Sequence, residues 1–302
     1  MKTWIKELDE RPSLNLIALL AVILGALFFR SSLAAQANPA EPQSTFRTEI
    51  PFELYNGSVV VVKATIGKMK KVNVILDTGT NPSILSKEIA NRMKLPETAE
   101  SLKTLNGTIQ AQSVTVPSLE MGALHADSVR VMVQDLDSVE RSLGITLGGI
   151  VGLDVLSSGR FTIDYERRRI VFGSMPATDK EVPFATTTPF LTVSATADGQ
   201  QVRLLLDSGT WGLLLFHDRL RASAGKVELD RSASITSAGG ATRLGWLRAA
   251  VSIGNDSLGT HMIAIADQDP GPGYDFDGLL GFAKMGFHRV SFDFAKGMFG
   301  WD

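Results

Sequence analysis

Two short segments of this chain carry residues suited to chemistry, and they are near copies of each other. Val74-Ile75-Leu76-Asp77-Thr78-Gly79-Thr80 recurs 130 residues on as Leu204-Leu205-Leu206-Asp207-Ser208-Gly209-Thr210. The three apolar residues predict a buried strand, so the carboxylate that ends it sits partly out of water. Gly79 and Gly209 have no Cβ and let backbone N–H groups close on that carboxylate. The hydroxyls on either side, Thr78 and Thr80 or Ser208 and Thr210, supply further donors. A single such Asp is only a held carboxylate at a strand-ending turn. Two that face each other cannot both ionise, so they share a proton. One then acts as base toward a water while its protonated partner acts as acid toward a carbonyl. That is enough to hydrolyse an amide without a metal or a covalent intermediate.

The elements around these segments repeat as well. Gly149-Ile150-Val151-Gly152 recurs as Gly278-Leu279-Leu280-Gly281, and Phe161-Thr162-Ile163-Asp164-Tyr165 as Val290-Ser291-Phe292-Asp293-Phe294, both at an offset of 129. Three blocks in one order at a nearly constant offset predict a duplicated unit, here two lobes rather than a solenoid. The Pro-containing, aperiodic stretch 176–189 reads as a linker between a first lobe, 51–175, and a second, 190–302. Most signals inside each lobe are β, such as Val59-Val60-Val61-Val62. A short helix is expected at 86–93, with Ser86 as its N-cap. Asn106-Gly107 marks a hairpin. Gly239-Gly240 stands at the equivalent place in the second lobe, and both hairpins are candidate flaps.

Composition narrows the field. With 44% hydrophobic residues and a net charge of −2, the chain is too apolar and too neutral to be disordered. The same balance leaves no electrostatic footprint for nucleic acid. The absence of cysteine rules out disulfides, thiolate metal sites and a cysteine nucleophile. The four His residues lack paired ligand spacing, so no metal or other cofactor is expected. Gly-x-Ser-x-Gly, phosphate-loop and His-Glu-x-x-His motifs are missing.

The N-terminus reads as a targeting segment. Lys2, Lys6 and Arg11 precede the apolar run Leu14–Phe29, and Ala35-Gln36-Ala37 follows it as a small-residue cleavage pattern. The run is long for a signal peptide and short for a membrane span, so residues 1–37 are either a cleaved signal or an N-terminal anchor. A polar tether, 38–50, would connect them to the body. An exported protein, periplasmic or otherwise extracytoplasmic, is expected.

Over about residues 58–302 the sequence resembles the aspartic peptidases of the pepsin and retropepsin group. The resemblance rests on the two Asp-Thr/Ser-Gly-Thr motifs and on the apolar-apolar-Gly that follows each some 75 residues later. It implies an all-β fold of two homologous β-barrel lobes with short helices and a cleft between them. Asp77 and Asp207 would be the catalytic pair, with Gly79 and Gly209 beside them. Thr78 and Ser208 would lock the lobes together beneath the site, and Thr80 and Thr210 would bond the outer carboxylate oxygens. Gly152 and Gly281 would complete the ψ-shaped loops. The implied activity is endopeptidase action on a polypeptide, by one chain acting as a monomer. The alternative is a catalytically silent protein that captures peptides in the same cleft. The missing cysteines and the lack of a Tyr near Asn106 point to two fused retropepsin-like units rather than to pepsin proper. Trp211 breaks the symmetry with Asn81, and both a pocket-lining and a core-packing role are open to it.

Overall fold

The computed structural model describes residues 47–104, 107–174, 177–186, 190–219, 229–237, 240–267 and 274–302. The N-terminal segment and most of the tether lie outside these residues. Among the described residues no helix is long and apolar enough to cross a membrane.

The protein is all-β with a pepsin-like architecture. The first half contributes β1 (Arg47–Tyr55), β2 (Val59–Ile66), β3 (Met69–Leu76), β4 (Ile84–Ser86), β5 (Thr98–Thr104), β6 (Gly107–Met121), β7 (Leu124–Gln134), β8 (Gly149–Val151), β9 (Phe161–Asp164) and β10 (Arg169–Gly173). The second contributes β11 (Lys180–Pro183), β12 (Thr192–Ala197), β13 (Gln200–Leu206), β14 (Leu213–Phe216), β15 (Leu229–Ser237), β16 (Gly240–Ile253), β17 (Asp256–Ala266), β18 (Gly278–Leu280), β19 (Arg289–Asp293) and β20 (Met298–Trp301).

The strands run in the order β1-β2-β3-β8-β4-β7-β6-β5 in the first lobe and β12-β13-β18-β14-β17-β16-β15 in the second. Additional pairings of β2 with β6 and of β12 with β16 curl each sheet back on itself. In both lobes the strand that carries the Asp motif runs parallel to the short apolar strand of the ψ element: β3 beside β8, with Ile75 opposite Ile150, and β13 beside β18, with Leu205 opposite Leu279. β8, β18 and the last three residues of β3 and β13 are continuous apolar runs because both of their faces are covered.

Beyond β1 the first sheet continues as a joining segment, in the order β10-β9-β19-β20-β11. At its centre β9 and β19 pair antiparallel, with Phe161 opposite Phe292. Their rings stack at a centroid distance of 4.8 Å. Strands from the two copies therefore meet about a local two-fold relation. Phe161, Phe282, Phe292, Phe299 and Trp301 are fully buried around this seam, where aromatic side chains bury the most area per residue.

Two boundaries differ from the sequence reading. The segment read as a linker contains β11, which pairs with β20 from Lys180 opposite Trp301 to Pro183 opposite Met298. The tether does not reach residue 50, because β1 begins at Arg47 and pairs with β10. β11 is an edge strand, and β1 changes partner from β10 to β2 at Phe52. They alternate with exposed polar residues and carry Pro51 and Pro183, so their local pattern is weak and pairing supplies the order.

Helices are few. α1 (Lys87–Met93) starts at Ser86, whose side chain accepts a hydrogen bond from Ile89 N at 3.2 Å. α2 (Asp137–Leu143) ends at Gly144 in the left-handed region, φ 69°. α3 (Leu153–Leu156) follows Gly152 directly.

Candidate active site

β3 and β13 deliver Asp77 and Asp207 to the contact between the lobes, where they are 1% and 3% exposed. Asp77 N donates to Val151 O and Asp207 N to Leu280 O, each at 3.0 Å. Each carboxylate is thus fixed relative to the ψ element of its own lobe. Each carboxyl lies against the glycine of the other lobe's motif, so the two groups are closely opposed.

The surroundings of the two carboxyls are near images. Gly79 N donates to Asp77 Oδ1 at 2.8 Å, and Thr80 Oγ1 donates to Asp77 Oδ2 at 2.6 Å. Gly209 N donates to Asp207 Oδ1 and Thr210 Oγ1 to Asp207 Oδ2, both at 2.8 Å. The glycines are required by space. A Cβ on Gly79 would lie 2.5 Å from Asp207 Cγ, and one on Gly209 would lie 2.9 Å from Asp77 Cγ. Each glycine therefore makes room for the opposite lobe's carboxyl as well as holding its own.

Thr78 and Ser208 cross the interface. Thr78 Oγ1 donates to Leu206 O at 2.8 Å and accepts from Ser208 N at 2.9 Å. Ser208 Oγ donates to Leu76 O at 3.0 Å and accepts from Thr78 N at 2.9 Å. Each hydroxyl bonds the backbone on both sides of the other lobe's Asp, so the carboxyl spacing is set by four buried hydrogen bonds.

Burial raises the pKa of both carboxyls above the ordinary aspartate value. For Asp207 the negative charge on Asp77 adds to burial. The hydrogen bonds from Gly79 and Thr80 pull Asp77 the other way without overcoming burial. A buried pair in contact, both raised, is one that retains a proton where a free carboxylate has lost it.

Gly152 and Gly281 lie against the dyad loops. A Cβ would come within 2.3 Å of Thr80 O at Gly152 and 2.2 Å of Thr210 O at Gly281. The two loops are held differently. Gly281 N donates to Gly212 O at 2.8 Å. Gly152 N donates to Ser83 Oγ at 2.9 Å, and Ser83 Oγ donates on to Asp154 Oδ1 at 2.6 Å. Sequence reasoning passed over Ser83 and Asp154 because Ala283 breaks the repeat at the second position. Ser83→Ala removes an acceptor from a buried N–H. It is expected to cost about 1–3 kcal/mol in urea unfolding.

Tyr165, at the turn after β9, was also missed. Its hydroxyl is buried without a hydrogen-bond partner among the described residues. Burial, with the charge of Asp207 adding to it, raises its pKa, so the phenol stays neutral.

Asn106 and Gly239 lie outside the described residues. Gly107 opens β6, opposite Thr104 on β5, and Gly240 opens β16, opposite Ser237 on β15. Both candidate flaps are therefore hairpins, and the two linking residues of each are outside the described set. Among the described residues no group of three or more His, Asp and Glu is placed to hold a metal ion.

A search of curated proteins finds no match to the chain. Residues 62–155, which contain Asp77, the loop Thr78–Thr80 and Gly152, match the family model described as aspartyl protease.

Proposed function

We propose that the chain is an exported aspartic endopeptidase built from two fused retropepsin-like lobes, with Asp77 and Asp207 as its catalytic dyad. The observation that carries this reading is the pair of buried, closely opposed carboxyls, each gripped by its own Gly N–H and Thr hydroxyl. In the proposed reaction a water lies between the carboxyls and the scissile carbonyl. The ionised carboxyl takes a proton from the water as its oxygen bonds to the carbonyl carbon. The protonated carboxyl gives its proton to the carbonyl oxygen. The tetrahedral diol then collapses as the C–N bond breaks: the carboxyl protonated in the first step gives its proton to the leaving nitrogen, and the ionised one takes a proton from a diol hydroxyl, leaving a carboxylic acid and an amine. At the diol stage each carboxyl occupies the other's starting state, and on collapse each returns to its own; the near-symmetric hydrogen bonds suit both states. The N-terminal segment would export the body or anchor it to a membrane. Both Asp motifs lie in one chain, so a monomer suffices.

The test is digestion of a mixed peptide library by the purified full-length chain across pH. Cleavage is expected at acidic to neutral pH, with activity per chain independent of dilution. It should be blocked by a statine-type peptide, whose hydroxyl replaces the dyad-held water, and unaffected by serine-directed or metal-chelating inhibitors. Retained peptide binding without cleavage at any pH would replace this reading with a silent peptide-capture protein.

A further inference from the structure

The two lobes can be compared strand by strand, and they match closely up to one point. In the first lobe a row of directly opposed residues runs outward from the dyad strand: Ile75 on β3, Ile150 on β8, Ile84 on β4, Met132 on β7 and Ser113 on β6. In the second lobe the same row is Leu205 on β13, Leu279 on β18, Leu214 on β14, Ala264 on β17 and Trp246 on β16. Opposed residues on neighbouring strands project to one face. Asp77 and Asp207 follow Ile75 and Leu205 by two positions while the backbone is still in the ladder. Each carboxyl therefore belongs to the face its row lines.

The first three members of each row are aliphatic in both lobes. The last two are not equivalent. Met132–Ser113 in the first lobe becomes Ala264–Trp246 in the second, which moves the bulk outward by one strand and replaces a hydroxyl with an indole. The loop beside each carboxyl differs in the same sense. Thr80 is followed by Asn81, and Thr210 by Trp211. Trp211 and Trp246 meet edge to face, with ring centroids 5.8 Å apart and planes at 86°. Both are half-buried, so part of each indole stays accessible. Ser113 is instead tied into a polar cluster. It donates to Glu100, and Glu100 in turn pairs with Arg130.

We infer that Trp211 and Trp246 form an aromatic wall beside Asp207 that selects a bulky apolar side chain of the bound polypeptide, on one side of the scissile bond only. The inference rests on the peptide-cleft reading above. The catalytic machinery is two-fold symmetric, but its specificity is not. The second lobe offers two half-buried indoles beside its carboxyl, whereas at the matching places the first lobe has Asn81 and a Ser113 buried against Glu100. The ligand that fits the indole wall is Phe, Leu, Met or Trp, since apolar side chains gain from desolvation against it and from edge contacts with the rings.

The experiment compares peptides cut by the wild-type chain with matched peptides carrying Ala at each position in turn. One position, always on the same side of the cut, is expected to favour Phe over Ala by at least tenfold in kcat/KM, the range in which an apolar pocket discriminates. Trp211→Asn, which installs the first lobe's residue, is expected to lower that ratio at least fivefold. Trp211→Phe is expected to keep most of it. Trp211→Met replaces the Asn variant if the latter lacks a cooperative unfolding transition. An unchanged Phe/Ala ratio in Trp211→Asn, or no apolar-selective position in the wild type, overturns the inference and leaves the peptidase reading intact. If the wild type cuts nothing, the same peptide pairs are titrated for binding. Tighter binding of the Phe peptide that depends on Trp211 upholds the wall while ending the catalytic reading, and no binding ends both.

Discussion

Asp207→Asn is expected to lower kcat at least about a thousandfold while making the protein more stable at neutral pH. The loss follows from proton transfer, for which a positioned acid or base contributes about 10²- to 10⁴-fold. An amide keeps the shape of the carboxyl and one acceptor oxygen for Gly209 N, but it neither takes a proton from water nor gives one to a carbonyl. Asp77→Asn should be equally damaging, because the two carboxyls exchange roles during the reaction. The gain in stability follows from the raised pKa values. The folded pair keeps a proton that the unfolded chain has released above the ordinary aspartate value of 3.8. Stability therefore falls as pH rises from that value through the folded pair's upper pKa, by about 1.36 kcal/mol for each pH unit of that window. Removing one carboxyl removes this loss. The variant should melt several degrees above the wild type near pH 7, at about 2–4 °C per kcal/mol for a chain of this size. Near pH 3, where both carboxyls are protonated in either state, the advantage should vanish. Activity of the wild type needs one proton on the pair, so the alkaline limb of its pH profile should lie above the usual carboxylate range. Undiminished cleavage by the variant, or equal melting of the two proteins at neutral pH, would remove Asp207 from the assigned role.

The core of this arrangement was legible in the sequence because it is built from runs whose every residue is constrained. Val74–Leu76 and Leu204–Leu206 have no exposed face, so they read as uninterrupted apolar segments, and Gly79 and Gly209 admit no side chain at all. The repeat offset then tied the two halves together. What stayed hidden depends on pairing partners. β1 and β11 are ordered by the strands beside them, so their alternating or Pro-containing sequences carry little signal of their own. α2 starts without a side-chain cap and buries only Leu143, which left no periodic stripe to find. Ser83 and Asp154 hold one ψ loop through side chains, whereas the other lobe does the same task through the Gly212 carbonyl. A repeat shows the residues that both copies share, and for that reason it conceals those that only one copy uses. The Trp211–Trp246 pair belongs to the same class: its significance appears only when the strand registers place Trp246 opposite Ala264 and, in the other lobe, Ser113 opposite Met132.

Thr78→Val is expected to destabilise the chain by about 2–6 kcal/mol and to depress activity beyond what the lost stability explains. Valine keeps the volume of threonine, so the core is not opened. What is lost is the hydroxyl that accepts from Ser208 N and donates to Leu206 O. Two buried groups of the opposite lobe then lose this partner, each at about 1–3 kcal/mol. Ser208→Ala should act in the same way on Thr78 N and Leu76 O. The effect on catalysis has a separate origin. These bonds anchor the backbone on both sides of each Asp, and a shift of about 1 Å in a catalytic group can cost about a hundredfold. A loosened pair also repels less and admits more water, so its raised pKa values should relax toward the ordinary range. The alkaline limb of the activity profile should therefore move to lower pH in Thr78→Val. Thr80→Val, which removes a hydrogen bond to one carboxylate oxygen without touching the interface, should move that limb upward instead, because it withdraws a bond that favours the charged form. Opposite shifts from two hydroxyls only two residues apart would separate the group that spaces the carboxyls from the group that holds one of them. Shifts of the same sign in both variants would mean that Thr78 contributes only folding stability.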